Sequence, residues 1–185
     1  MGVSRVAGAG VSSICLHGPE STGKSTVGPR LAQALGGRYL GEYGRDYAEA
    51  HGTDFTMADL VAIGQGHDAR LAEALASGPW PVVTDTDPLM TAVWADMLFG
   101  ARDPWFGEWN RLSDAYLLFA PDLPWVEDGT RLFGTRVERQ RFFDLSRAEL
   151  DRRGVPYALI EGQGESRYAN CIAALEHFGI RPHLC

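Results

Sequence analysis

Ten residues decide more about this chain than all the others together: His17-Gly18-Pro19-Glu20-Ser21-Thr22-Gly23-Lys24-Ser25-Thr26. They fit G-x-x-x-x-G-K-[ST], the phosphate-binding P-loop. The flanks agree: Val11 to Leu16 reads as a short strand ahead of the loop, and Val27 to Leu35 as a helix behind it. A polyphosphate needs several backbone N–H groups converging on it, and Gly18 and Gly23 permit a wrap that side chains would block. A helix opening at about Lys24 aims the positive end of its dipole at the same charge. Lys24 is expected to reach the β/γ-phosphates and the Ser25 hydroxyl to ligate Mg²⁺. Lys24 is also the only lysine in the chain, every other long basic side chain being arginine. A compact ammonium stands where a planar guanidinium would suit a phosphate cradle less well. The chain is read as binding a nucleoside triphosphate.

At 185 residues, 45% hydrophobic and 22% charged, the composition is that of a globular domain. We expect a Gly/Ala-rich tail over residues 1–10 and one domain over 11–185. A net charge of −7 argues against a nucleic-acid partner, whose phosphates reward a basic surface. Cys15, Cys171 and Cys185 are odd in number and lack CxxC spacing, so neither disulfides nor a zinc site is expected. The N-terminal apolar residues run directly into the P-loop strand and do not read as a cleavable signal, and no apolar run reaches the ~20 residues needed to cross a bilayer. The expectation is a soluble, cytoplasmic protein with no membrane partner.

Strands and helices alternate along the rest of the chain. Pro29 inside the first helix predicts a local irregularity. Arg38 to Glu42 reads as a second strand whose exit carries Glu42-Tyr43-Gly44-Arg45-Asp46-Tyr47. Thr56 to Asp59 resembles a capping box opening a helix to about Ala76, with Leu60, Ile63, His67, Leu71 and Leu75 on its inner stripe. His67 is therefore either a core histidine with a local partner or a site residue. Pro81 to Asp85, Ala115 to Ala120 and Tyr157 to Ile160 complete five strands, separated by an apolar helix after Asp87-Pro88, a Trp-bearing segment over 101–112, a turn-rich connection over 121–135 and a helix from Arg136 to Arg153. A final helix carries Tyr168, Cys171, Ile172 and Leu175 inward. The fold class is α/β: a P-loop NTPase with a five-stranded parallel sheet flanked by helices, nucleoside/nucleotide-kinase-like, with a lid at about 121–141. In such sheets ligands bind beyond the carboxyl ends of the strands, which gathers the P-loop, Glu42 and Asp85 around one cleft.

Within that cleft Asp85 is the candidate acid for Mg²⁺, and Asp85 or Glu42 the candidate base for an acceptor hydroxyl. Glu42 has an alternative as an ion-pair partner of Arg45, and Asp87, preceding Pro88, as a helix N-cap. Arg131, Arg136, Arg139 and Arg141 cluster in and after the flexible connection, and lid arginines are a recurrent means of stabilising a transferring phosphoryl group. The nucleotide set is Gly18, Glu20, Ser21, Thr22, Gly23, Lys24, Ser25, Thr26 and Arg136, with Lys24 and Arg131 acting on the phosphoryl group. Trp125, Tyr43 and Tyr47 are candidates for stacking on a flat, cationic ring, or for the core.

Several motifs in order resemble a known family: Gly-Pro-Glu-Ser-Thr-Gly-Lys-Ser-Thr (18–26), Glu-Tyr-Gly-Arg-Asp-Tyr (42–47), Thr-Asp-Thr-Asp (84–87), Trp-Val-Glu-Asp-Gly-Thr-Arg (125–131), Arg-Gln-Arg-Phe-Phe (139–143) and Gly-Val-Pro-Tyr (154–157). Together they resemble the ribosylnicotinamide kinase domain of NadR-type proteins, P-loop kinases of the AAA-like ATPase/kinase group, over nearly the whole chain. Some of those relatives carry a Trp before the Glu where this chain has Gly41. The resemblance implies ATP- and Mg²⁺-dependent phosphorylation of the 5′-hydroxyl of nicotinamide riboside. It implies Glu42, Tyr43 and Arg45 in the riboside pocket, Asp85 near the metal and the attacking hydroxyl, and Asp128 and Arg131 in the lid. Asp87, Trp125 and Asp128 complete the expected substrate-binding set, and Ser25 with Asp85 the expected metal set. Kinases for another riboside, or a nucleotide-dependent switch, are the alternatives, and the absence of Asn-Lys-x-Asp disfavours a GTPase.

Overall fold

The structure, a computed structural model, describes residues 11–182; the segment read as a tail, residues 1–10, and Cys185 lie outside the described residues. Five strands, β1 (Ser13–His17), β2 (Arg38–Leu40), β3 (Val82–Asp85), β4 (Ala115–Phe119) and β5 (Tyr157–Ile160), form one parallel sheet in the order β2-β3-β1-β4-β5. The helices are α1 (Lys24–Ala34), α2 (Tyr43–His51), α3 (Met57–Ser77), α4 (Pro88–Phe99), α5 (Pro104–Glu108), α6 (Arg136–Arg153) and α7 (Gly164–His177). β1, β3 and β4 are buried at every position, as strands covered on both faces are, and apolar residues fill β4 and the middle of β1.

Alternation along β1 sorts the two layers. Ile14 and Leu16 join Leu117, Phe119 and Ile160 against Val27 and Leu31 of α1 and Cys171 and Leu175 of α7. Cys15 faces the opposite side with Tyr116 and Leu118, under Leu89 of α4 and Phe143 and Leu150 of α6. The chain leaves β1 toward β2 and β3 on one side and later crosses to β4 and β5 on the other. A crevice consequently opens beyond the carboxyl ends of β1 and β3. Among the described residues no helix is long and apolar enough to cross a membrane.

Two expectations are corrected. The first helix runs through Pro29 without interruption: the ring removes one donor from the ladder, but Val27, Leu31 and Ala32 anchor the helix in the core on either side of it. The second strand stops at Leu40, and the Glu-Tyr-Gly-Arg stretch opens a helix, α2, for which the sequence has no clean 3.6-residue apolar pattern. Packing on α3 supplies what pattern does not: Arg70 lies over the Tyr43 ring at 4.4 Å and pairs with Asp46 at 2.6 Å, while the Tyr47 hydroxyl donates to Asp59 at 2.7 Å. The capping box at Thr56 and Asp59 forms as read from the sequence.

Gly28 is where α1 meets β2. A Cβ there would stand 2.3 Å from Tyr39 Cε2 and 3.0 Å from Leu16 Cδ1. Gly28→Ala is therefore expected to destabilise the fold by about 1–3 kcal/mol through overpacking, despite alanine's better helix propensity. Urea unfolding with an unchanged midpoint would show that the Tyr39 ring gives way freely.

Candidate active site

The P-loop leaves β1 through Gly18, whose φ of 116° is hostile to a side chain; a Cβ there would also stand 2.6 Å from the Phe119 carbonyl oxygen. It turns through Ser21 in the left-handed region (φ 56°) and enters α1 after Gly23 (φ 83°). Lys24 is buried and folds back along the loop, its Nζ donating to the carbonyl oxygens of Gly18 (2.9 Å) and Pro19 (2.7 Å). The Thr22 hydroxyl closes the turn on Pro19 O at 2.9 Å.

Asp85 ends β3 beside the loop and is fully buried. Its Oδ2 accepts from Ser25 Oγ (2.7 Å) and Tyr39 OH (3.0 Å), while Oδ1 is buried without a partner. A hydroxyl and a carboxylate with a free buried oxygen are hard oxygen donors of the kind Mg²⁺ takes. The residues expected to hold the metal, Ser25 and Asp85, thus fit it.

Two cavities meet here. One, of about 410 Å³, is the P-loop cradle itself, lined from Glu20 to Thr26 and reached by Arg131. The other, of about 590 Å³, is more apolar and opens between α2, α3 and α4, with Phe55, Met90 and Trp94 among its walls and His67 lining it. Glu20, Glu42 and Arg45 line both. Burial pushes the Glu42 carboxyl up to about 7, with Asp85 and Glu20 repelling its charge and Lys24 opposing them. Glu20 is likewise pushed up to about 7 by burial.

The connection over 121–135 lies across the P-loop. Ser21 Oγ donates to Pro124 O (3.2 Å) and accepts from Val126 N (3.0 Å), and Glu20 accepts from Leu132 N (3.2 Å). Asp128 pairs with Arg45 (2.8 Å) and Arg131 (3.1 Å). Although desolvation opposes it, the Arg45 hydrogen bond holds the Asp128 carboxyl down at about 2. Arg131 also donates to Val126 O.

Lys24, Ser25, Thr26, Glu42, Arg45 and Arg131 line one or both cavities, with Asp85 buried behind Ser25, and three other candidates need correction. Asp87 is a helix cap: Oδ1 accepts from Leu89 N (2.9 Å), Oδ2 from Tyr116 OH (2.7 Å), and the residue is buried away from both cavities. Tyr43 packs on α3 under Arg70. Trp125 lies within the lid, against Gly134 with Arg131 and Arg139 about 6 Å from its ring, and lines neither cavity. Glu20, counted with the nucleotide set, lines the cradle and also accepts from Leu132 N. Arg136 lines a separate depression of about 790 Å³ between the lid root and the exit of β5, with Asp122, Arg139 and Glu161.

One arginine was missed, and another, Arg139 of the basic cluster read from the sequence, is engaged by backbone carbonyls. Arg167 of α7 is 1% exposed and donates to Thr22 O (2.8 Å) and Gly162 O (2.6 Å) while pairing with Asp122, so it braces the P-loop against the lid root. Its sequence signal was an arginine four residues before the buried Cys171, on the apolar face of a helix. Arg139 donates to Leu123 O (2.7 Å) and Ser21 O (3.3 Å). Trp94, Phe55 and Met90 were unreadable as cavity walls because apolar side chains announce burial, not what they surround.

A family model described as AAA domain matches residues 13–167. The chain is 28% identical over 172 residues to the trifunctional NAD biosynthesis/regulator protein NadR of Escherichia coli, covering 88% of this chain and 41% of that protein. It therefore spans less than half the length of that relative. A crystal structure of NadR protein in complex with NR superposes with a TM-score of 0.75 at 21% identity, over 95% of this chain and 53% of that one. Deoxyadenosine kinase from M. mycoides matches with a TM-score of 0.61 at 11% identity, over 90% and 99%. Thymidylate kinase from Ehrlichia chaffeensis does so at 0.66 and 12%, over 90% and 100%. The fold is that of the P-loop NTPases, shared with nucleoside and nucleotide kinases.

The raised Glu42 carboxyl has a consequence for stability. A group bound to its proton more tightly when folded adds stability below its unfolded pKa and loses it as pH rises to the folded value. The ionised Glu42 thus weakens the fold progressively from about pH 4.5 to 7. Glu42→Gln is expected to be more stable than the parent at pH 8 by about 1–3 kcal/mol, with the difference vanishing near pH 4.5. Thermal unfolding at both pH values measures it; equal stability at pH 8 would contradict the buried charge.

Proposed function

The chain belongs to the AAA domain family, and from that premise we propose that it is an ATP-dependent small-molecule kinase that phosphorylates nicotinamide riboside to nicotinamide mononucleotide. One observation carries the reading: Glu42 and Arg45 line both the phosphate cradle and the neighbouring apolar cavity, so a hydroxyl held at their junction faces the P-loop and a base at once. A switch that only hydrolyses a nucleotide has no use for the second cavity. Its carboxylates, Glu20 and Glu42, and its indole, Trp94, suit a flat ring with a positive charge. Trp94 supplies from α4 an aromatic face that Gly41 does not. The similarity to NadR proteins supports the same acceptor.

Lys24, on leaving the Gly18 and Pro19 carbonyls, meets the β/γ-phosphates of ATP, and the backbone N–H groups at the start of α1 take the remaining oxygens. The nucleoside half of ATP is assigned to the depression at the exit of β5 that Arg136 lines. Ser25 and Asp85 would hold Mg²⁺, which when bound neutralises charge on the phosphates. Glu42, with its carboxyl near 7, is the better base of the two acids, because Asp85 is engaged by Ser25 and Tyr39. It accepts the acceptor hydroxyl's proton, and Arg131, oriented by Asp128, stabilises the transferring phosphoryl group.

ADP release with Mg·ATP, comparing nicotinamide riboside, adenosine, thymidine and no acceptor, tests this. Strong stimulation by nicotinamide riboside alone is expected; stimulation by another riboside would change the acceptor, and none at all would remove the kinase reading. Lys24→Ala should abolish transfer, and Arg131→Ala should lower kcat by about 10²–10³-fold with little change in KM for the riboside.

A further inference from the structure

His67 is both of the things its sequence position allowed: it is 2% exposed and it lines the apolar cavity. Its Nε2 lies 2.9 Å from Thr84 Oγ1. The Thr84 hydroxyl has a single proton, and it donates that proton to Thr86 O at 2.9 Å. In the contact with His67 the hydroxyl oxygen is therefore the acceptor, and Nε2–H is the donor. Burial pushes the imidazole down to about 4, so near neutral pH the ring is uncharged and Nδ1 bears a lone pair. Nδ1 has no hydrogen-bond partner among the described residues. Because His67 lines the cavity, an occupant of that cavity can supply the donor that the protein does not.

The other groups that line the cavity sharpen what that donor is. Glu20 and Glu42 bring two carboxylates to the same cavity, and its one guanidinium, Arg45, is already paired with Asp128. An anionic substituent would meet a lone pair and two acids, whereas an N–H donor would satisfy the lone pair and meet no uncompensated charge. We propose that His67 Nδ1 determines acceptor specificity by taking a hydrogen bond from a carboxamide N–H on the substrate's ring, and that the site thereby rejects the carboxylate analogue. This rests on the reading of the cavity as the acceptor site. Thr84 is the positioning residue, since its hydroxyl holds the imidazole in the tautomer that leaves Nδ1 free. The same hydroxyl ties down Thr86, a non-glycine residue with φ 71°, so the tautomer is set by the turn that follows Asp85.

The test measures kcat/KM for nicotinamide riboside against nicotinic acid riboside in the parent, His67→Leu and Thr84→Val, with KM for ATP as the check on folding. The parent is expected to favour the carboxamide by more than about tenfold. His67→Leu should raise KM for nicotinamide riboside by about 10–100-fold, more than it lowers kcat, and bring the preference toward unity. Thr84→Val, which frees the tautomer, should move the preference the same way by less. Nitrogen NMR of the parent should find His67 protonated at Nε2. A proton on Nδ1, a parent indifferent to the two ribosides, or an unchanged preference in a folded His67→Leu would each overturn the proposal while leaving the kinase reading intact. Turnover of some other riboside but neither pyridine riboside would overturn the acceptor reading and the proposal together.

Discussion

Three carboxylates crowd one buried ammonium at the carboxyl ends of β1 and β3, and that imbalance governs the rest of the cleft. Glu20, Glu42 and Asp85 face the space around Lys24, and the two nearest guanidiniums, Arg45 and Arg131, share Asp128 between them. Glu20 and Glu42 respond by keeping their protons up to about pH 7. A polyphosphate would add negative charge to a place already rich in it, which Lys24, now held by the loop carbonyls, and a cation would offset. The same excess makes a cationic ring a better occupant of the adjoining cavity than a neutral or anionic one.

The connection over 121–135 is held to the P-loop by few contacts. Apart from Arg139, it meets the loop through two hydrogen bonds at Ser21 and one at Glu20, each worth about 0.5–1.5 kcal/mol net. Arg167 supplies the contrast: fully buried, it ties Thr22 O to Asp122 at the start of that connection.

How far the sequence reads through to the structure follows the physics of each signal. Five parallel strands, their helices and the capping box at Thr56 were legible because apolar runs, periodicity and caps are local consequences of burial. The P-loop was legible because backbone geometry there demands particular residue types. What was not legible depended on partners remote in sequence. Helix α2 exists because Tyr43, Asp46 and Tyr47 find Arg70 and Asp59, and the same packing withdraws Tyr43 from the cavity. Asp87 and Trp125 looked available for a ligand until Tyr116 and the lid arginines were seen to occupy them. Arg167 and the cavity wall formed by Trp94 and Phe55 had no pattern to betray them. His67 was legible only as an ambiguity, and the direction of one threonine proton resolves it.

Strain completes the argument about where the chemistry sits. Ser21 and Thr86 are the two non-glycine residues in left-handed conformations among the described residues, one flanking Lys24 in the P-loop and the other directly following Asp85. Such conformations persist only where the surroundings over-determine them. Thr86 N donates to Leu16 O at 3.0 Å, extending the β1–β3 register by one residue past the strand end, while Thr84 holds its carbonyl from the other side. Ser21 is held by Pro124, Val126 and Arg139 of the lid and its following helix. The Asp85 side of the cleft thus borrows its rigidity from the middle of the sheet, and the P-loop side from the connection over 121–135. Were that connection to move away, the P-loop would lose the contacts that hold Ser21, while Asp85 and Thr86 would keep theirs to the sheet.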